Sequence, residues 1–210
     1  MEFFLRSAGQ PRRLGVFPGT FNPVTVAHIA LAQSALALVD EVVFVLPRRF
    51  PHKTYSGARF EQRVELLAMA LGTQPRYSVA ASDGGLFAEI ARECRQAYGP
   101  DVRLSFLCGR DAAERMANWD YGRPEALAEM LLQFDLLVAA REGEYSPPEN
   151  MAGCVAPLEA CGAWDLVSAS QVRHRIAHGE PWEHLVPPAV RRRVGEIYTP
   201  GKNGAAIADQ

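Results

Sequence analysis

Unbroken apolar runs alternate along this chain with stretches whose apolar residues recur every three or four positions. Runs of strand length without polar alternation mark strands covered on both faces, whereas the three-four spacing marks amphipathic helices. Residues 14–17, 42–46, 77–81, 104–108 and 136–140 read as such strands, and 164–167 as a short last one. Between them, helical stripes carry Ile29, Ala32, Leu36 and Val39, then Val64, Leu67, Ala68 and Leu71, then Phe87, Ile90, Ala91 and Cys94. Pro124 opens a helix bearing Leu127, Met130 and Leu131. A helix from Ser170 follows, and a final one from Pro188 has Val190, Val194 and Ile197 on one face. Residues 47–57 and 142–157 read as loops, and the pattern breaks at 118–122. Strands alternating with helices, with no repeat or dividing linker, predict an α/β open parallel sheet with helices on both faces. One domain is expected over residues 1–198, its C-terminal part from about 168 helical, and 199–210 is expected to be a loose tail.

Ligands of such sheets bind beyond the carboxyl ends of the strands. The polar turns after Phe17, Leu46 and Cys108 open onto that edge. The first runs Gly15-Val-Phe-Pro-Gly-Thr-Phe-Asn-Pro-Val-Thr-Val-Ala-His28, a strand breaking into a turn that ends in histidine where a helix begins. A helix start is a weakly positive anion site, because its first amides have no partner within the helix. Val167-Ser-Ala-Ser-Gln-Val-Arg173 is a second polar helix start, with a guanidinium one turn in. Two such starts suggest a nucleoside triphosphate held between them.

Charge and composition narrow the partners. Lys and Arg number 22 against 24 Asp and Glu, too balanced for a broad nucleic-acid surface. Cys94, Cys108, Cys154 and Cys161 form no Cys-x-x-Cys pair and no metal spacing with histidine, which suits buried thiols in a reducing compartment. No apolar run has bilayer length and residues 1–13 lack the pattern of a signal peptide, so a cytoplasmic protein without a membrane partner is expected.

Several separated segments keep a shared order: Gly19-Thr-Phe-Asn-Pro23 with Thr25 and His28, Pro51-His-Lys53, Gly109-Arg-Asp111 with Trp119, and Ser168-Ala-Ser170 with Arg173. The stretch 173–179 and Leu185-Val-Pro-Pro188 continue the series. On these segments, from Gly15 to about Tyr198, the chain resembles the nucleotidyltransferase superfamily with the (His/Thr)-x-Gly-His signature. Within it, the chain resembles bacterial nicotinate-nucleotide adenylyltransferases. The resemblance implies a Rossmann-like fold of nucleotidyltransferase type. It also implies an enzyme of NAD biosynthesis that moves AMP from ATP to the phosphate of nicotinate mononucleotide, giving deamido-NAD and pyrophosphate. Mg2+ would accompany ATP, the partners would be small molecules, and assembly into a homo-oligomer is left open. Nicotinamide mononucleotide or phosphopantetheine as acceptor, or a nucleotide sensor without turnover, are the alternatives. The chain departs from the pattern at four places: Ala27 stands at the signature's glycine, Asn22 at the usual aspartate and Ala169 at a frequent serine. The fourth is residues 84–90, apolar where those enzymes carry a Ser-Tyr-Thr-like stretch. The Ala27 methyl is expected to crowd a phosphate or shift the backbone.

Adenylyl transfer to a phosphate needs no protein nucleophile; the protein must align two anions and stabilise charge moving onto pyrophosphate. The resemblance therefore makes His28, Thr25, Arg173 and Lys53 the catalytic candidates. Gly19, Thr20, Phe21, Gly109, Asp111, Ser168 and Ser170 are the candidates for holding the nucleotide, Asp111 either by accepting ribose hydroxyls or merely as a helix cap. His52, Trp119 and Tyr121 are the candidates for the acceptor, the aromatics by stacking on a pyridine ring or else as core. His174, Arg175 and His178 read as solvated helix positions, and Trp164 and Trp182 as packing residues.

Overall fold

The computed structural model describes the chain except residues 50–54, 56, 120–121, 124, 140–144, 159–166 and 200–210. Seven strands form one sheet: β1 (Glu2–Leu5), β2 (Arg13–Pro18), β3 (Glu41–Pro47), β4 (Tyr77–Ser82), β5 (Arg103–Gly109), β6 (Asp135–Ala139) and β7 (Val155–Leu158). Their order is β1-β4-β3-β2-β5-β6-β7, parallel throughout except that β1 runs antiparallel along the edge of β4. The helices are α1 (Val26–Ala35), α2 (Phe60–Leu71), α3 (Phe87–Tyr98), α4 (Arg110–Ala117), α5 (Ala126–Leu131), α6 (Ala169–Ala177) and α7 (Arg191–Tyr198). This is a Rossmann-like α/β sheet. From β2 the chain winds out through β3 and β4, then returns to pair β5 on the other side of β2. The order therefore reverses between β2 and β5, and that crevice is where an open α/β sheet binds its ligand.

Two cores cover the sheet. One joins Phe17, Phe44 and Leu46 to α1, α2, α6 and α7; the other joins Val16, Val43 and Phe106 to α3, α4 and α5. Both faces of β3 are buried along its whole length, as its unbroken apolar run predicts. Cys94 and Cys108 lie in the second core, where burial pushes each thiol up to about 12.

Two strands escaped the sequence pattern because both are edges. β1 is only half covered, and β7 contains Pro157, which lacks an amide hydrogen and is tolerated at a sheet edge. β7 lies at the end of a segment read as loop. Of the strand expected at 164–167, Val167 is not in a strand and the rest falls outside the described residues, as does the expected tail beyond Thr199.

Asp40 closes the turn before β3 by accepting from the Arg12 amide at 3.0 Å, the Arg13 amide at 2.9 Å and the Arg13 guanidinium at 2.8 Å. These donors hold its carboxyl below the ordinary aspartate value. A group whose folded pKa is lowered adds stability above its unfolded pKa of about 3.9, and loses it as pH falls through the folded value. Asp40→Asn should therefore melt below wild type at pH 7, with the gap closing in acid. Thermal melts from pH 7 downward check this; a gap constant across the acid range would contradict it.

Candidate active site

The turn after β2 is built by its own sequence. Gly19 donates its amide to the Val45 carbonyl at 3.0 Å, continuing the β2–β3 ladder past the strand end. A Cβ on Gly19 would stand 2.9 Å from the Phe21 ring, so close passage of that ring excludes a side chain there. Phe21 takes a positive φ of 45° and buries its ring against Phe17, Phe44 and His28. Asn22 follows, buried and joined to Pro23 by a cis peptide bond.

Thr25 then caps α1. Its hydroxyl accepts from the His28 amide at 3.4 Å, while the His28 Nδ1 accepts from the Thr25 amide at 3.0 Å. The Thr25 hydroxyl also lies 2.8 Å from Nδ1. An amide N–H can only donate, so Nδ1 is the acceptor and the neutral imidazole carries its proton on Nε2. Edge-on contact with Phe21, ring centroids 5.2 Å apart, fixes the ring plane. A capping box thus sets both orientation and tautomer of His28. Ala27 is buried in the core, so its methyl packs inward.

The second helix start meets the same turn. Ser168 caps α6, its hydroxyl accepting from the Gln171 amide at 3.1 Å. One turn in, Arg173 donates to the Asn22 carbonyl at 2.6 Å, across 151 residues of sequence, and to the Ser170 hydroxyl at 3.2 Å. Two of the five guanidinium N–H groups orient its plane, and among the described residues the other three have no partner. The starts of α1 and α6 therefore border one loop.

Sequence patterning missed what grips that loop from behind. Arg63 is buried in α2 and donates to the Thr20 carbonyl at 2.9 Å, with its guanidinium 4.4 Å over the Tyr55 ring. Burial lowers its pKa from the ordinary arginine value. The signal was present: Arg63 shares the stripe of Leu66 and Leu67, where a charge is out of place. The Asn22 side-chain oxygen accepts from the Ala58 amide at 3.2 Å and the Tyr198 hydroxyl at 2.5 Å. Burial raises the Tyr198 pKa well above the ordinary phenol value, which keeps that hydroxyl a donor.

At the C-terminal end of β5, Gly109 caps α4. Its φ is −82° and a Cβ there would meet nothing within 4 Å, so neither backbone nor packing demands glycine. Asp111 lies exposed in the first turn of α4 and is not the cap. Trp119 is 48% exposed and lines a cavity of about 450 Å3 with Leu86, Phe87, Met116 and Met130. His52, Lys53 and Tyr121 lie outside the described residues. Among the described residues no three His, Cys, Asp or Glu side chains gather as a metal cluster, and no helix is long and apolar enough to cross a membrane.

The cytidylyltransferase-like family model matches residues 16–175. The chain is 32% identical over 214 residues to a Chromohalobacter salexigens protein named a probable nicotinate-nucleotide adenylyltransferase, covering 87% of this chain and 93% of that one. A Thermus thermophilus protein of the same name is 30% identical over 193 residues, covering 89% and 95%. The fold is similar to a solved structure, Plasmodium falciparum nicotinic acid mononucleotide adenylyltransferase complexed with NaAD. The TM-score is 0.64 at 15% identity, over 89% of this chain and 97% of that one.

Gly57 sits at φ 129°, where a Cβ would lie 2.2 Å from the Asn22 side chain. Because Asn22 is pinned on both sides, Gly57→Ala is expected to cost about 1–3 kcal/mol through strain and displacement of the turn. Tyr198→Phe, which removes one donor to Asn22, is expected to cost about 1 kcal/mol. Denaturant unfolding measures both, and stability within error of wild type for Gly57→Ala would contradict the packing described.

Proposed function

Because this chain belongs to the cytidylyltransferase-like family, we propose that it transfers AMP from ATP to the phosphate of nicotinate mononucleotide, releasing pyrophosphate and deamido-NAD. The observation that carries the reading is the Thr25–His28 capping box beside the loop that Arg173 holds. It gives an imidazole whose Nε2 is a fixed donor, at a helix start that itself favours anions.

An acceptor phosphate oxygen attacks the α-phosphorus of ATP, the bond from that phosphorus to the bridging oxygen breaks, and pyrophosphate departs. His28 donates from Nε2 to a phosphate oxygen, and the bond strengthens as negative charge moves toward the leaving group. Arg173 presents its remaining N–H groups to the same phosphates, while Ser168 and Ser170 hold the helix start and the guanidinium in place. Thr25 sets the His28 tautomer and so acts through it. Gly19, Thr20 and Phe21 form the turn over which the phosphates lie; the Phe21 ring serves as support for His28.

The open space at Gly109 admits close approach of the adenosine, and Asp111 accepts from its ribose hydroxyls. Trp119, at the mouth of the cavity, stacks on the pyridine ring of the acceptor. Lys53, His52 and Tyr121 are assigned to the incoming mononucleotide, Lys53 to its phosphate. Magnesium would accompany ATP and would offset the charge of its phosphates as pyrophosphate departs. ATP and a mononucleotide are thus the partners, in the cytoplasm.

His28→Ala is expected to lower kcat about 100- to 1,000-fold in a protein that still folds, its melting temperature lowered only by the lost capping contact with Thr25. Arg173→Lys should also lower it, since a point charge cannot replace a two-pronged contact. Pyrophosphate release measured with nicotinate mononucleotide, nicotinamide mononucleotide and phosphopantetheine tests the acceptor. Near-normal turnover in His28→Ala, or release only with phosphopantetheine, would overturn the reading.

A further inference from the structure

The cavity beside Trp119 is walled by apolar groups, Leu86, Phe87, Met116 and Met130 among them, yet three side chains that line it are polar or charged: Arg115, Glu129 and Gln133. Glu129 is ion-paired with Arg123 at 2.6 Å, which offsets its charge. Arg115, on the last turn of α4, makes no ion pair or hydrogen bond among the described residues. A cation facing an apolar cavity attracts a ligand that carries its own anion to that wall.

The turn before α3 also lines the cavity, and three of its amides are already engaged by carboxylates. Gly84 donates its amide to Glu93 at 3.2 Å, and Gly85 and Leu86 donate theirs to Glu89 at 3.0 and 3.1 Å. A second carboxylate arriving at the start of α3 would meet the like charge of Glu89. Arg115 is the one cationic side chain among the described residues of the cavity wall.

We propose that Arg115 binds the ring carboxylate of the acceptor and so makes this chain prefer nicotinate over nicotinamide mononucleotide. This rests on the pyridine-nucleotide reading above and names the group that decides which pyridine is taken. With the ring against Trp119, the carboxylate reaches the guanidinium; an uncharged carboxamide leaves that guanidinium without its counter-ion, and the site discriminates by the unmatched group.

The test compares kcat/KM for nicotinate and nicotinamide mononucleotides in wild type, Arg115→Gln and Arg115→Lys, with the KM for ATP and the melting temperature as controls. Wild type should favour the nicotinate form, and Arg115→Gln should reduce that ratio about 10- to 100-fold through the KM of the anionic acceptor. Arg115→Lys should recover part of it, because the charge returns without the planar fork. A ratio unchanged in Arg115→Gln, in an enzyme that still adenylylates nicotinate mononucleotide, overturns the role of Arg115 alone. Wild type that adenylylates neither mononucleotide overturns the function and this inference together.

Discussion

One buried amide side chain holds the crevice together. The oxygen of Asn22 accepts from Ala58, 36 residues on, and from Tyr198, 176 residues on, while its backbone carbonyl accepts from Arg173. Arg63 grips the neighbouring Thr20 carbonyl from α2. A loop closed by so many distant donors has few alternative conformations, so the helix that follows it starts at a fixed place and angle. Everything the proposed chemistry requires of α1 depends on that.

The helix caps then have two uses at once. The Thr25 hydroxyl accepts from the His28 amide and the His28 Nδ1 accepts from the Thr25 amide, which satisfies two donors of the helix start and fixes which His28 nitrogen bears the proton. Ser168 performs the same local task for α6, whose next turn carries Arg173. Local stability and ligand chemistry are therefore not in competition at either start, and no strained nucleophile is needed for a reaction in which the substrates supply both nucleophile and leaving group.

Departures from the family pattern find physical places. The Ala27 methyl enters the core, on the side of α1 that packs against the sheet. Asn22 keeps an acceptor for two donors without burying a charge, which an aspartate there would do at a cost unless paired. The apolar residues 85–87 line the cavity beside Trp119, where Arg115 is the one cationic side chain among the described lining residues.

The parallel strands β2 to β6 and most helices were legible because burial on both faces writes continuous apolar runs, and burial on one face writes a helical stripe. The polar helix starts near His28 and around residues 167–173 were legible for the same local reason, but that Thr25 and Ser168 are the caps came from the structure. The edge strands β1 and β7 were not, since half-covered strands write weak patterns and form only where a neighbour offers an open edge. Nor could the pairing of Arg63 with Thr20, or of Tyr198 with Asn22, be read along the chain. A buried arginine or phenol announces that it needs a partner, but the order of strands about β2 decides which backbone carbonyl or amide oxygen comes within reach. The sequence by itself determined the elements and their polar ends; tertiary structure alone decided that the ends of α1 and α6 share one loop, because hydrogen bonds between distant residues exist only once the sheet has set their separation.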